Sequence, residues 1–175
     1  SYQTLGHTEA QAVVGSFEGE NTLFAVAGAD GVHAIDPITM KEKWKVNIGH
    51  IDAGVLSHEG KVFIGTGREK NDDKKNKCFA AALDFKTGKI LWQRELAASS
   101  WMRPVVVGGN VCYIAGEVYF PTERGHITCF DQLTGQHTIS MNTTEPIVST
   151  PKVLDNSILY ATVRGLVCRF DLTTK

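Results

Sequence analysis

Residues 82–92 have the sequence Ala-Leu-Asp-Phe-Lys-Thr-Gly-Lys-Ile-Leu-Trp, and this stretch decides the fold. An apolar run ends at Asp84, a tight turn follows, and a second apolar run ends at Trp92. An aspartate at the start of a turn accepts hydrogen bonds from backbone N–H groups two or three residues further on, and glycine supplies the positive φ that closes the turn. The stretch therefore predicts a β-hairpin with Asp84, Thr87 and Gly88 at its tip.

The same Asp-x-x-Thr turn occurs four times along the chain. Its aspartates are residues 36, 84, 131 and 171, so the spacings are 48, 47 and 40 residues. A period of about 40 residues that is built from strands and turns is typical of β-propeller blades. The sequence thus predicts an all-β propeller with about four four-stranded blades, in which residues 1–175 form one domain or part of one.

The repeat resembles that of the PQQ-type, quinoprotein-like β-propellers, whose pattern is Ala-x-Asp-x-x-Thr-Gly-Lys-x-x-Trp. Residues 82–92 match the pattern fully, and residues 34–44 differ only at Met40, which replaces the glycine. The third copy has Ile139 in place of the tryptophan. The resemblance implies that Trp44 and Trp92 pack between neighbouring blades. It leaves the function open, because the family includes dehydrogenases, assembly lipoproteins and stress-sensor luminal domains. By the same resemblance, the periplasm or the lumen of the secretory pathway is the favoured compartment.

Four repeats are compatible with three arrangements of the propeller. The chain could close into a four-blade ring, associate with a second copy to complete an eight-blade ring, or be a fragment of a larger propeller. Residues 5–10 and 48–53 share a pattern, and in that register residues near 2–6 would supply the outermost strand of a blade. We therefore expect these residues to complete the fourth blade, or else the edge of that blade to be exposed.

The overall charge and hydrophobicity exclude some classes of partner. The chain has 18 basic and 19 acidic residues and a net charge of −1. This balance argues against a broad surface for nucleic acid or for an anionic membrane. No apolar run approaches the roughly 20 residues of a transmembrane helix, so we expect no membrane span.

The four cysteines, at positions 78, 112, 129 and 168, lie in or beside apolar strand segments. They lack the Cys-x-x-Cys spacing of a zinc site. Buried thiols are the simplest interpretation. A disulfide is an alternative if the chain is exported, but the sequence does not pair the cysteines.

The sequence contains no recognisable catalytic centre. Quinone-dependent enzymes of the family carry an adjacent Cys-Cys disulfide, a tryptophan beneath the cofactor, and a catalytic aspartate with acidic and asparagine ligands to calcium. The chain has no Cys-Cys pair, and no set of its residues matches the others. We therefore predict no catalytic residue and no cofactor, and we favour a non-enzymatic binding or scaffold domain. The alternative is part of a quinone-dependent dehydrogenase or of another ligand-binding propeller enzyme.

His7 and His50 occupy equivalent positions of the repeat, and each is followed two residues later by an acid, Glu9 or Asp52. We expect both histidines near the same face on neighbouring blades. An acid beside a histidine can shift its pKa or help to bind a cation. Loop capping is the simpler interpretation, and no histidine pair has the spacing of a metal motif, so the prediction includes no metal.

Two repeats carry insertions, at residues 67–77 and 116–125, between their second and third strands. By the family resemblance, these loops share a face with the segments that enter each blade. Long loops on one face of a propeller usually serve binding, so we expect this face to bind a protein or peptide partner. The candidate binding residues are His7, Glu9, His50, Asp52, Trp101, Arg103, Tyr119, Phe120 and Arg124.

Overall fold

A computed structural model describes residues 1–68, 77–116, 124–147 and 149–173. The described residues form only strands, turns and loops, as the sequence predicts. The strands are β1 (Val13–Phe17), β2 (Glu20–Val26), β3 (Val32–Ile35), β4 (Glu42–Val46), β5 (Leu56–His58), β6 (Lys61–Gly65), β7 (Cys78–Asp84), β8 (Ile90–Leu96), β9 (Val105–Val107), β10 (Asn110–Ala115), β11 (His126–Asp131), β12 (His137–Asn142), β13 (Lys152–Leu154), β14 (Ser157–Ala161) and β15 (Val167–Asp171).

The strands form four antiparallel sheets, each a meander of consecutive strands. The first three blades are β1–β4, β5–β8 and β9–β12, and the fourth blade is β13–β15. The inner strands β5, β9 and β13 are short, with three residues each. At the fourth blade the reason is local, because the side chain of Ser149 bonds the N–H and the C=O of Ala161 in place of a backbone ladder.

The repeated aspartate turns have the predicted geometry. The Asp84 carboxylate accepts hydrogen bonds from the backbone N–H groups of Lys86 and Thr87 and from the Thr87 hydroxyl. Equivalent backbone N–H groups bond the other three aspartates, at positions 36, 131 and 171. Gly88 has φ +71°, and Met40 adopts the same left-handed region with φ +57°. The turn therefore keeps its hydrogen bonds and its left-handed residue even where the glycine of the repeat is replaced.

In the part of the chain that the structure describes, the hydrophobic core consists of three clusters, and each joins two consecutive blades. Trp44 is 8% exposed in the cluster between the first and second blades, and Trp92 is 5% exposed between the second and third. Each indole N–H donates to a backbone carbonyl of the next blade, at Phe85 or Gln132. The predicted packing of both tryptophans between blades is confirmed.

The fourth blade ends in an exposed edge. Within the described part of the chain, β15 has no further strand beside it. Residues 2–6 form no strand and lie against the first blade instead, so of the two expected arrangements the exposed edge is the one observed. Tyr2 bonds Nδ1 of His33 at 2.8 Å and donates to the Glu42 carboxylate, and the N–H of Leu5 bonds Asp30. Burial and the bond to Glu42 raise the pKa of Tyr2 to about 12.

Two cysteines form a disulfide that the sequence left unpaired. Cys112 and Cys129 are directly opposite each other on β10 and β11, and their sulfurs are bonded. Their Cβ atoms point to the same face because paired residues of an antiparallel ladder do so. Cys78 is buried, as the simplest interpretation expected, with its sulfur 3.7 Å from Oγ of Ser99, and Cys168 is half-buried.

Candidate binding cavity and histidine cluster

Short backbone bridges bring the segments that enter the blades close to the loops of their neighbours. Gly28 pairs with Ile51, His50 with Gly67, and Ser100 with Ala115. The N–H of Gly67 bonds the carbonyl of His50, and the N–H of Gly116 bonds that of Ser99. Gly67 and Gly116 are the first residues of the two insertions. Both insertions therefore begin beside the entering segments, as the family resemblance implied.

The entering segments of all four blades surround one cavity. Its volume is about 420 Å³. The lining residues are Glu9, Ala10, Gln11, Val13, Asp52, Gly54, Trp101, Arg103, Thr150 and Lys152. Each blade contributes at least one of these residues, so the cavity is formed by equivalent segments of the four repeats.

The charged side chains divide the cavity into an acidic and a basic half. Glu9 and Asp52 come from the segments that enter the first and second blades, and Arg103 and Lys152 come from the third and fourth. The aliphatic part of Arg103 packs on Gly54, where an added Cβ would lie 3.7–3.8 Å from it. Nε of Arg103 is buried and has no hydrogen-bond partner in the described part of the chain. A buried donor in this state favours a ligand that brings an acceptor.

His7, His50 and Asp52 form a compact cluster beside the cavity. Nε2 of His50 lies 2.6 Å from Oδ2 of Asp52, and Nε2 of His7 lies 3.4 Å from Oδ1. The two imidazole centroids are 5.6 Å apart. Glu9 is at the edge of the cluster, 3.8 Å from Nε2 of His7. The predicted proximity of the two histidines on neighbouring blades is therefore observed, and the acid of the second repeat contacts both.

The structure brings together six of the nine candidate binding residues. His7, Glu9, His50 and Asp52 are in or beside the cluster, and Trp101 and Arg103 line the same cavity. Arg124 is exposed. Tyr119 and Phe120 lie outside the described residues.

Sequence reasoning missed the contribution of the fourth blade, Thr150 and Lys152. A signal was available, because Thr150 precedes the end of β13 by the same number of residues as Arg103 precedes the end of β9. Glu145 also lies in the segment that enters the fourth blade, but it is not among the residues that line the cavity. Its carboxylate instead accepts a hydrogen bond from the Thr162 hydroxyl within the fourth blade.

Comparisons with known proteins identify the family. The family described as outer membrane protein assembly factor BamB matches residues 76–175, more than half of the chain. No curated protein matches. Among solved structures, BamB from Moraxella catarrhalis is similar with a TM-score of 0.66 and 20% identity, over 92% of this chain and 46% of that one. The chain thus spans about half the length of that relative.

Two further structures show the same fold. The computationally designed Ika4 protein has a TM-score of 0.70 and 14% identity, and the match covers 97% of this chain and 96% of Ika4. The quinohemoprotein alcohol dehydrogenase ADHIIG from Pseudomonas putida HK5 has a TM-score of 0.64 and 22% identity, over 80% of this chain and 21% of the enzyme. Together with the repeat and the four antiparallel blades, the family match shows that the chain belongs to the β-propellers with PQQ-type repeats, in the family described as outer membrane protein assembly factor BamB.

Proposed function

We propose that this chain is a non-enzymatic binding domain that presents the cavity and its surrounding loops to a protein or peptide partner. The observation that carries the proposal is the division of the cavity into an acidic half, Glu9 and Asp52, and a basic half, Arg103 and Lys152. A polypeptide segment offers side chains of both signs together with backbone donors and acceptors. Electrostatic complementarity of this kind gives a binding site its specificity.

The loop arrangement supports the same proposal. Gly67 and Gly116, where the two insertions start, are bonded to the entering segments around the cavity. Loops on a rigid scaffold can vary without loss of the fold, and they often carry binding residues. The matched family is named for outer membrane protein assembly, which favours a protein as the class of partner.

The alternative, a quinone-dependent enzyme, fits the residues of the cavity poorly. The described residues of the lining include Trp101 and two acids, but no asparagine that could complete a calcium site of the family type. The disulfide joins β10 to β11 rather than two adjacent residues.

Charge reversal in the basic half of the cavity tests the proposal. We expect Arg103→Glu with Lys152→Glu to abolish capture of partners from a native lysate, because the cavity then carries four acidic groups. The melting temperature of the variant is measured as well, because Lys152 is exposed but Arg103 is half-buried, and it separates loss of binding from loss of the fold. Lys89→Glu, an exposed change on the turn of the second blade, is the control. Capture of the same proteins by the charge-reversed cavity and by the control would contradict the proposal.

A deletion tests the role of the insertion at 116–125. Removal of residues 117–123 leaves Gly116, Arg124 and Gly125 between β10 and β11, and three-residue connections with glycine are common in hairpins. The ends are already close, because a Cβ on Gly116 would lie 3.6 Å from Cα of Gly125. We expect an unchanged melting temperature and loss of partner capture. Unfolding would show a structural loop, and unchanged capture would place the binding surface elsewhere.

A further inference from the structure

The carboxylate of Asp52 is buried but only partly satisfied. Its side chain is 7% exposed, and Oδ2 is bonded to His50. Oδ1 has no hydrogen-bond partner among the described residues, and it lies 3.4 Å from Nε2 of His7. A buried carboxylate oxygen normally has a partner, because the loss of its hydration is costly. An ion at this position would provide one.

We propose that His7, His50 and Asp52 form a binding site for a divalent metal ion of the zinc class. One ligand atom from each residue lies within 4.8 Å of the other two. Two atoms that each lie about 2.1 Å from a tetrahedral zinc ion are about 3.4 Å apart, and this is the separation of His7 Nε2 and Asp52 Oδ1. Two imidazoles and one carboxylate are donors that zinc binds in proteins.

The backbone holds the cluster in place before any ion binds. Gly28 and Ile51 exchange two hydrogen bonds of 3.1 Å, which fixes the residue between His50 and Asp52. Gly28 has φ +50°, and an added Cβ would lie 3.0 Å from Cε1 of His7 and 3.2 Å from Cε1 of His50. The absence of a side chain at Gly28 therefore allows both rings to approach the same point.

An ion at this site would link parts of the chain that are far apart in sequence. His7 belongs to the N-terminal segment that lies on the first blade, and His50 and Asp52 belong to the segment that enters the second. The fourth coordination position is filled by water or by Glu9, whose carboxylate is 3.8 Å from Nε2 of His7. The ion would link the N-terminal segment to the segment that enters the second blade, at the edge of the cavity. This site does not depend on the proposed partner, because all of its ligands come from this chain.

Zinc titration of the chelator-treated, tag-free chain tests the proposal. The measurement is isothermal titration calorimetry in a Cys168→Ser background, which removes the half-buried free thiol. We expect one Zn²⁺ per chain, and a dissociation constant at least tenfold larger in His7→Gln and in Asp52→Asn. His58→Gln is the matched control, because His58 also has a neighbouring acid, Glu59, at 3.7 Å but belongs to no such cluster of described residues.

Two further measurements separate a metal site from a set of ion pairs. Zn²⁺ should raise the melting temperature of the parent and of His58→Gln, but not that of His7→Gln, since a ligand that binds only the folded state stabilises it. Co²⁺ should give the visible absorption of a tetrahedral site. His7 is half-exposed, so His7→Gln keeps the fold, and far-ultraviolet circular dichroism verifies this. No binding to the parent, or equal binding to His7→Gln and to the control, would overturn the proposal and leave only ion pairs.

Discussion

Gly88 lies against the indole ring of Trp44, and Gly135 lies in the same way against Trp92. A Cβ at Gly88 would come within 2.7 Å of the Trp44 ring, and one at Gly135 within 2.6 Å of the Trp92 ring. The glycine of the repeat therefore has two functions, because it supplies the positive φ of the turn and leaves room for the tryptophan of the preceding blade. Where the sequence has Ile139 instead of tryptophan, the corresponding position of the next turn, residue 175, is lysine. Tryptophan and glycine thus occur as a pair.

Replacement of Gly88 by alanine tests this pairing. The variant places a side chain at φ +71° and against the Trp44 ring, so strain and overpacking add. We expect a loss of about 2–4 kcal/mol in the free energy of unfolding, measured by chemical denaturation. Gly19→Ala is a matched control, because Gly19 has φ +79° and no atom lies within 4 Å of an added Cβ. This variant should lose only about 1 kcal/mol in the free energy of unfolding. Equal losses in the two variants would refute the contribution of the tryptophan.

At the scale of the element, the turn between the third and fourth strands of each blade is stabilised by hydrogen bonds to one charged aspartate. In the first three copies two backbone N–H groups donate to one carboxylate, and in the fourth the N–H of Thr173 does so. In the second copy the bond from the Thr87 hydroxyl lowers the pKa of Asp84 most. These bonds favour the ionised form, so they hold the pKa of the four aspartates, at positions 36, 84, 131 and 171, below the ordinary value. Each aspartate therefore stabilises its hairpin more strongly in the ionised form than in the protonated form.

The stability of the chain should therefore decrease in acid. A carboxylate with a lower pKa in the folded state stabilises the fold above its unfolded pKa of about 3.9, and this stabilisation is lost as the pH falls through the folded value. We expect the melting temperature to decrease between about pH 5 and pH 2. The decrease should be smaller in Asp84→Asn, and also in Thr87→Val, which lacks the hydroxyl that bonds Asp84. Parallel profiles for all three proteins would contradict this explanation.

Across the whole molecule, the interfaces between consecutive blades are not equally well packed. The first two interfaces between blades each contain a buried tryptophan, whereas the third has the half-buried Ile139 at that position. All three residues of β13 are exposed, and Val167 on β15 is 84% exposed. In the described residues, no hydrophobic cluster joins the fourth blade to the first. The fourth blade is therefore the least supported part of the fold.

Amide hydrogen exchange tests whether the fourth blade is the least stable part of the fold. Local opening is easiest where few apolar contacts would be lost. We expect the amides of β14 to exchange at least tenfold faster than those of β6, although both are second strands of their blades. The measurement is exchange followed by mass spectrometry of peptides from the two strands. Equal protection of β6 and β14 would show that the fourth blade is held by contacts other than those between blades.

The sequence predicted the features that repeat, because a turn and its flanking strands depend on nearby residues. Asp84, Gly88 and Trp92 therefore indicated the hairpin, the blade and the packing between blades. The pairing of Cys112 with Cys129 depends on the register of two strands on either side of an insertion, and no short motif encodes that register. The sequence placed His7 and His50 near the same face, but it did not predict the contact of His7 with Asp52. That contact requires the N-terminal segment to lie on the first blade rather than to complete the fourth.

The disulfide has a consequence for the topology of the chain. Cys112 and Cys129 enclose the insertion at 116–125 in a covalent loop, so a single break of the backbone within that loop releases no fragment. The two pieces would stay joined through sulfur and separate only under reducing conditions. An oxidised chain can therefore be cut once between Cys112 and Cys129, by a protease or by design, and remain one covalent molecule.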